Sequence, residues 1–144
     1  MLIRRMTLED IPAVVEIEKQ CFSLPWSEKS FEDSISRNDT IFLVCEDAPC
    51  ITGYMGLYLS FDEASVTNVA VSSAYRKRGY GEALVEAAKQ VAKEAGAEYI
   101  FLEVRQSNIP ALSLYKKLGF EQLGIRKKFY EHPVEDAIIM KVGI

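Results

Sequence analysis

The chain has 144 residues, of which 49% are hydrophobic and 26% charged, a balance typical of a globular protein with an apolar core. Its formal net charge is −4 and its isoelectric point is about 5.1, which argues against a general nucleic-acid binder because phosphate neutralisation requires a basic face. No run approaches the roughly 18 apolar residues of a membrane-spanning helix. We therefore expect one cytoplasmic domain spanning residues 1–144.

The first third of the chain predicts one strand and two helices. "LIRRM" alternates like a short strand, and Thr7, followed by Asp10 and Pro12, is typical of a helix start. The pattern breaks at Pro25 and resumes after Ser27, which predicts a second and shorter helix.

The middle of the chain predicts an antiparallel meander followed by a helix. Three strand-like runs, "TIFLVCED", "ITGYMGLYLSF" and "ASVTNVAV", are separated by short polar turns. A helix then begins at Gly81, has apolar side chains spaced three and four residues apart, and stops at Gly96.

The last third predicts strands on both sides of one helix. "EYIFLEV" is almost continuously apolar, which indicates a central strand covered on both faces. Asn108 begins the helix and Gly119 ends it, and two strands follow, at 121–130 and 134–142. The resulting order, β-α-α-β-β-β-α-β-α-β-β, predicts a mixed α/β domain.

Cysteine and histidine are too few and too scattered for a metal site of the usual kinds. Cys21, Cys45 and Cys50 contain no CxxC pair, and His132 is the only histidine. Free thiols suit a reducing compartment, so we expect no metal and no disulfide framework.

A basic, glycine-rich turn precedes the helix in the middle of the chain. Arg76–Arg78 stands directly before Gly79–Gly81, where unpaired backbone N–H groups and partial positive charge favour an anion. The pattern predicts a phosphate cradle, with a solvated loop and a glycine N-cap as the alternative. A Walker loop is excluded because no Gly-Lys-Ser/Thr follows, and a dinucleotide fingerprint because Leu84 stands where a third glycine is needed.

The pattern Arg76-x-x-Gly79-x-Gly81 after "TNVAV" resembles the pyrophosphate-binding motif of the GNAT superfamily of N-acetyltransferases, where it holds coenzyme A. "CFSLPWS", "TNVAV", "RKRGYGEAL", "LEVRQSNIPALSLYKKLGF" and "EDAIIM" together resemble the ribosomal-protein-alanine N-acetyltransferases (RimI type) of bacteria. The resemblance implies the GNAT fold, a mixed and mostly antiparallel sheet with helices on both faces. It also implies acetyl-CoA as cosubstrate and the N-terminal alanine of ribosomal protein S18 as acceptor. We further expect a monomer or weak dimer without membrane or direct nucleic-acid contact.

The same resemblance implies a cofactor site. The strand Val69–Val71 would be splayed from its neighbour and offer main-chain groups to the pantetheine arm, and the turn would wrap the pyrophosphate. Glu82 would repel that ligand, so we expect it to point outward. The implied cofactor-binding residues are Val69, Ala70, Val71, Arg76, Lys77, Arg78, Gly79, Tyr80, Gly81, Glu82 and Asn108.

Glu103 is the candidate general base. An acid in so apolar a strand is costly unless it is paired or used. From the residues alone, a carboxylate paired with Arg105 is an equal alternative, and the resemblance favours catalysis because the glutamate of "LEVR" matches the family's base.

Tyr115 is the candidate general acid. It lies seven residues after Asn108, so both can face one ligand from the same side of a helix. A core aromatic between Leu114 and Leu118 is the alternative, and the resemblance favours the acid because "ALSLYKKLGF" matches the family's acid-bearing helix.

Three further residues are candidate walls of an acceptor groove: Pro25, Trp26 and Tyr130. Trp26 is equally well explained as a core plug. The final hairpin also carries three acids that would attract a basic peptide or simply be solvated: Glu131, Glu135 and Asp136.

Three functions remain open at this point. The first is an N-α-acetyltransferase that works by direct transfer in a ternary complex, since no activated nucleophile is visible. The second keeps the fold and changes the acceptor to lysine side chains, other N-termini or a small amine. The third is an acyl-CoA-binding module without turnover, against which Glu103 and Tyr115 speak, because binding alone requires neither.

Overall fold

A single mixed sheet of seven strands organises the protein, and the computed structural model describes all residues from 1 to 144. The strands are β1 (Leu2–Arg5), β2 (Thr40–Asp47), β3 (Cys50–Ser60), β4 (Glu63–Val71), β5 (Tyr99–Arg105), β6 (Glu121–Glu131) and β7 (Val134–Gly143). The helices are α1 (Ile11–Cys21), α2 (Glu28–Ile35), α3 (Tyr80–Glu94) and α4 (Ile109–Lys117). The predicted order of elements is confirmed.

Polar side chains fix the starts of the first two helices. The Asp10 carboxylate accepts the backbone N–H of Thr7 at 2.8 Å and pairs with Arg4 at 2.7 Å. That hydrogen bond from Arg4 lowers the pKa of Asp10. The predicted start at Thr7 is a short 3-10 turn that leads into α1, and α2 begins after Ser27, whose hydroxyl accepts the N–H of Ser30.

None of the four helices has the length and apolar character that a membrane-spanning helix requires.

Helices cover both faces of the sheet, as predicted. The strand order is β1-β2-β3-β4-β5-β7-β6, and every neighbouring pair is antiparallel except β4 and β5. Helices α3 and α4 pack on one face over a core that includes Leu57, Leu84 and Ile100. Helices α1 and α2 pack on the other face over a smaller core that includes Val14 and Phe31.

The parallel pair β4 and β5 separates soon after it begins. The two strands pair only through Glu63–Ser65 and Tyr99–Phe101, although β4 continues to Val71 and β5 to Arg105. Strand β4 remains paired with β3 as far as Val71, so the opening lies on its β5 side. The centre of the sheet therefore contains a gap between the carboxyl ends of two parallel strands.

Strand β5 has one covered face rather than the two predicted from its apolar sequence. Ile100, Leu102 and Val104 are buried, whereas the alternate residues, including Glu103 and Arg105, remain partly exposed. The reason is that α1 and α2 pack against β2, β3 and β4. The partly exposed face of β5 therefore lines the gap.

Candidate active site

A cleft of about 700 Å³ occupies the gap between β4 and β5. Its floor is formed by residues 66–69 of β4 and by Glu103 and Arg105 of β5. One wall is the loop between α1 and α2, and the other is the hairpin between β6 and β7. A concave site at the carboxyl ends of parallel strands is a common place for a ligand.

The structure brings five of the predicted site residues to this cleft: Trp26, Val69, Glu103, Asn108 and Tyr130. Trp26 packs on Phe31 with ring centroids 5.2 Å apart, so it is both a core residue and a wall of the cleft. Pro25 is exposed and does not line the cleft, which argues against the role predicted for it. Asn108 caps α4 as expected, because its side-chain oxygen accepts the N–H of Ala111 at 3.3 Å.

Glu103 faces the cleft, and its ion-pair partner is not the Arg105 of the alternative interpretation. Its carboxylate lies 3.1 Å from Nε of Arg126, and 31% of its side chain is exposed. The alternative pairing with Arg105 is therefore wrong. Glu103 also faces Tyr130: burial raises the pKa of Tyr130, and the Glu103 carboxylate adds to the increase.

Tyr115 lies in the larger core and is not among the residues that line the cleft. Its ring packs against Phe120 with centroids 5.4 Å apart, and burial raises the pKa of Tyr115 to about 12, with a smaller contribution from Tyr130. No hydrogen bond within the chain contributes to that pKa shift. The protein has no fully buried side-chain nitrogen or oxygen atom that lacks a hydrogen-bond partner. The ring is thus a core aromatic, and its hydroxyl stays protonated.

The free edge of β4 presents unpaired backbone groups to the gap. The N–H of Ser72 donates to the Thr52 carbonyl at 2.7 Å, and hydrogen-bonded pairs alternate along an antiparallel ladder. Val69 and Val71 pair with Met55 and Gly53 at the intervening positions, so their N–H and C=O groups point away from β3. An extended ligand between the strands would find partners there.

The start of α3 has backbone N–H groups without partners. Gly79 precedes the helix with a φ of 88°, in the left-handed region that glycine adopts without strain, and no side chain caps the helix. The first N–H of this turn with a backbone acceptor is that of Ala83, which bonds to the Gly79 carbonyl. A Cβ at Gly81 would lie 3.5 Å from Leu114 and 3.8 Å from Val71, so this turn faces the end of β4.

The basic residues before α3 are exposed, and two of them already have partners. Arg76 donates to the Val71 carbonyl at 3.4 Å and to the Cys21 sulfur at 3.1 Å. Arg78 lies over the Tyr75 ring, 5.6 Å from its centroid. These contacts hold the basic loop against the end of β4.

Glu82 does not leave an uncompensated negative charge at the start of α3. Its carboxylate lies 3.1 Å from Nζ of Lys117 on α4, and 38% of its side chain is exposed. The pair ties the first turn of α3 to α4 and offsets the repulsion expected for a bound phosphate.

Two of the three hairpin acids already accept hydrogen bonds from other residues of the chain. Glu135 accepts from the Ser107 hydroxyl at 2.9 Å. Asp136 accepts the N–H of Lys128 at 2.9 Å, which lowers the pKa of Asp136 and fixes a bulge in β6. Glu131 lines the cleft and is the hairpin acid left to meet a ligand.

Sequence reasoning missed Glu18, which is 2% exposed at the wall of the cleft. Its carboxylate accepts the Trp26 N–H at 2.9 Å and the Tyr54 hydroxyl. The sequence does indicate its burial, because Glu18 falls on the apolar side of α1 with Ile11, Val14 and other buried residues.

The split parallel pair, the free strand-edge groups and the uncapped helix start together suit an extended, anionic ligand that would lie in the middle of the sheet. The family model "Acetyltransferase (GNAT) family" matches residues 11–120. The chain belongs to this family, whose members use acyl-coenzyme A, and the predicted resemblance is confirmed.

The chain is similar over its whole length to bacterial proteins. A Bacillus subtilis (strain 168) relative is 43% identical over 143 residues, covering 99% of this chain and 95% of the relative. The ribosomal protein bS18-alanine N-acetyltransferase of Escherichia coli (strain K12) is 33% identical over 144 residues, with 99% and 97% covered. A crystal structure of the Escherichia coli S18-alanine N-acetyltransferase superposes with a TM-score of 0.90 at 32% identity, covering 99% of this chain and 93% of that one.

Proposed function

We propose that this protein transfers the acetyl group of acetyl-CoA to the N-terminal α-amine of a protein, with the N-terminal alanine of ribosomal protein bS18 as its acceptor. The observation that carries the proposal is the cleft at the split between β4 and β5, which has Glu103 on its floor. The name of the Escherichia coli relative, similar over the full length, supplies the acceptor.

The donor fits the groups that the cleft presents. The pantetheine arm contains amides, which match the free N–H and C=O groups of Val69 and the free N–H of Val71. The pyrophosphate matches the uncapped first turn of α3, with Lys77 and Arg78 exposed beside it. Acetyl-CoA supplies an acetyl group that is activated as a thioester.

Glu103 and Tyr115 divide the proton handling. Glu103 accepts a proton from the amine, directly or through one water. Tyr115 donates a hydrogen bond to the leaving sulfur as negative charge develops there. Complete proton transfer from a phenol with a pKa of about 12 is uphill towards a thiolate whose conjugate acid has a pKa near 8.5, so hydrogen-bond donation is its main contribution.

A weak general base is better suited to an α-amine acceptor than to a lysine acceptor. An α-amino group has a pKa of about 7.7–8.0 and a lysine about 10.4, so at pH 7 the neutral fraction differs by about 10²- to 10³-fold. The walls formed by Trp26 and Tyr130 suit a peptide that enters end-on.

A competition assay tests the proposal. We expect a short peptide beginning Ala-Arg to be acetylated at its α-amine at least about tenfold faster than an N-blocked lysine peptide or a polyamine at pH 7. Mass spectrometry of the mixed reaction gives both the rate and the modified atom. Faster modification of the lysine or the polyamine would contradict the proposed acceptor, and CoA binding without any transfer would reject the enzyme.

A further inference from the structure

Arg105 ends β5 on the same face as Glu103, yet it has no acidic partner. None of the ion pairs of the protein includes it, although the carboxylates of Glu103 and Glu131 also line the cleft. The Arg105 side chain must therefore be held by contacts other than ion pairs.

The hydrogen bonds and the cation–π contact of the Arg105 side chain go to the β6–β7 hairpin. Its guanidinium carbon lies 4.2 Å from the centroid of the Tyr130 ring. Its Nη1 donates to the Pro133 carbonyl at 3.0 Å and its Nη2 to the His132 carbonyl at 3.2 Å. One planar group thus stacks on an aromatic ring and satisfies two turn carbonyls, which requires the fork geometry of arginine.

The same turn is held from the opposite wall of the cleft. The Ser23 hydroxyl, in the loop between α1 and α2, donates to the His132 carbonyl at 2.8 Å. The His132 carbonyl therefore joins the floor strand, the hairpin and the α1–α2 loop at one point. Ser23, Arg105, Tyr130 and His132 all line the cleft.

We propose that Arg105 is a positioning residue for the acceptor: it holds Tyr130 and the hairpin turn as a fixed wall, so the acceptor binds to a preformed groove. The inference rests on the proposed peptide acceptor. The inference assigns Arg105 to acceptor binding, Glu103 and Tyr115 to the chemical step, and the free edge of β4 and the start of α3 to donor binding.

Steady-state kinetics of Arg105→Lys tests the role, because lysine keeps the charge and loses the fork and the planar stack. We expect the KM for the acceptor peptide to rise about tenfold, with kcat and the KM for acetyl-CoA within about threefold of wild type. Ser23→Ala, an exposed change that removes one donor to the same carbonyl, is expected to raise the acceptor KM by a smaller factor. Arg37→Lys, which alters an arginine paired with Asp39 on a remote surface, is the control and is expected to match wild type.

A double-mutant cycle separates wall positioning from direct contact with the acceptor. In a Tyr130→Ala background, Arg105→Lys is expected to change the acceptor KM by less than about threefold, because the wall it holds is gone. A lowered kcat with unchanged acceptor KM, equal effects on both substrates, or full additivity in the cycle would overturn the inference.

Hydrogen exchange keeps the inference testable if no peptide is acetylated. Arg105→Lys is expected to speed amide exchange in residues 129–134 and to leave α3 and β4 unchanged. Unchanged exchange in the hairpin rejects the positioning role. Lack of peptide acetylation by the wild-type protein rejects only the proposed function.

Discussion

Replacement of Glu103 by glutamine is expected to lower kcat/KM for an α-amine peptide by about 10²- to 10³-fold, the usual contribution of a general base. Glutamine keeps the size of the side chain at the cleft floor and removes its capacity to accept a proton. The loss is expected to be larger at pH 6.5 than at pH 8.5, since less of the amine arrives already deprotonated at the lower pH. Initial rates across this pH range measure both effects.

The matched control is Glu86→Gln, which also removes a carboxylate paired with a cation, here Lys89 at 3.4 Å, on the surface of α3. We expect the control to match wild type within about twofold, because exposed pairs contribute little. The base assignment is wrong if Glu103→Gln retains wild-type kcat/KM at pH 6.5, or if its deficit is equal at every pH.

Replacement of Tyr115 by phenylalanine is expected to lower kcat by about 10²-fold, with the affinity for CoA within about twofold of wild type. Phenylalanine keeps the ring against Phe120 in the core and removes only the hydroxyl. Because that hydroxyl has no partner in the chain, the melting temperature should not fall. Single-turnover rates, CoA titration and thermal unfolding of the same preparation separate the three quantities.

Tyr99→Phe, at the opposite end of β5 beneath Lys141, is the control for loss of a hydroxyl and is expected to leave kcat unchanged. With a pKa of about 12, Tyr115 stays protonated across the assay range, so the wild-type pH profile should show no limb from its ionisation. Unchanged turnover in Tyr115→Phe would remove the residue from the mechanism.

The fold was largely predictable because its signals are local. The caps at Ser27 and Asn108 and the stop at Gly96 mark helix ends within a few residues. The apolar run of β5 was misleading, since its residues are covered on one face only. Which face a helix covers is decided by packing across the whole sheet, and no short window of sequence contains that information.

Some features of the candidate site were also predictable from local sequence, and others were not. The glycine-rich turn and the acid of "LEVR" are visible as patterns, so the start of α3 and Glu103 could be proposed as site residues from the sequence. The partners of these groups were not predictable: Glu103 pairs with Arg126, Glu82 with Lys117, and Arg105 holds the distant hairpin. Such pairs join residues far apart in the chain, and their choice depends on the bulge in β6 and on the approach of α4 to α3.

The central claim is that the gap between β4 and β5 and the first turn of α3 together hold coenzyme A. Hydrogen exchange with and without CoA tests it most directly, because the backbone N–H groups of Val69, Val71 and residues 80–82 lack partners in the free protein. The account predicts that saturating CoA slows exchange in segments 69–71 and 79–82. Unaltered exchange in both segments, or slowing confined to another part of the sheet, would contradict it.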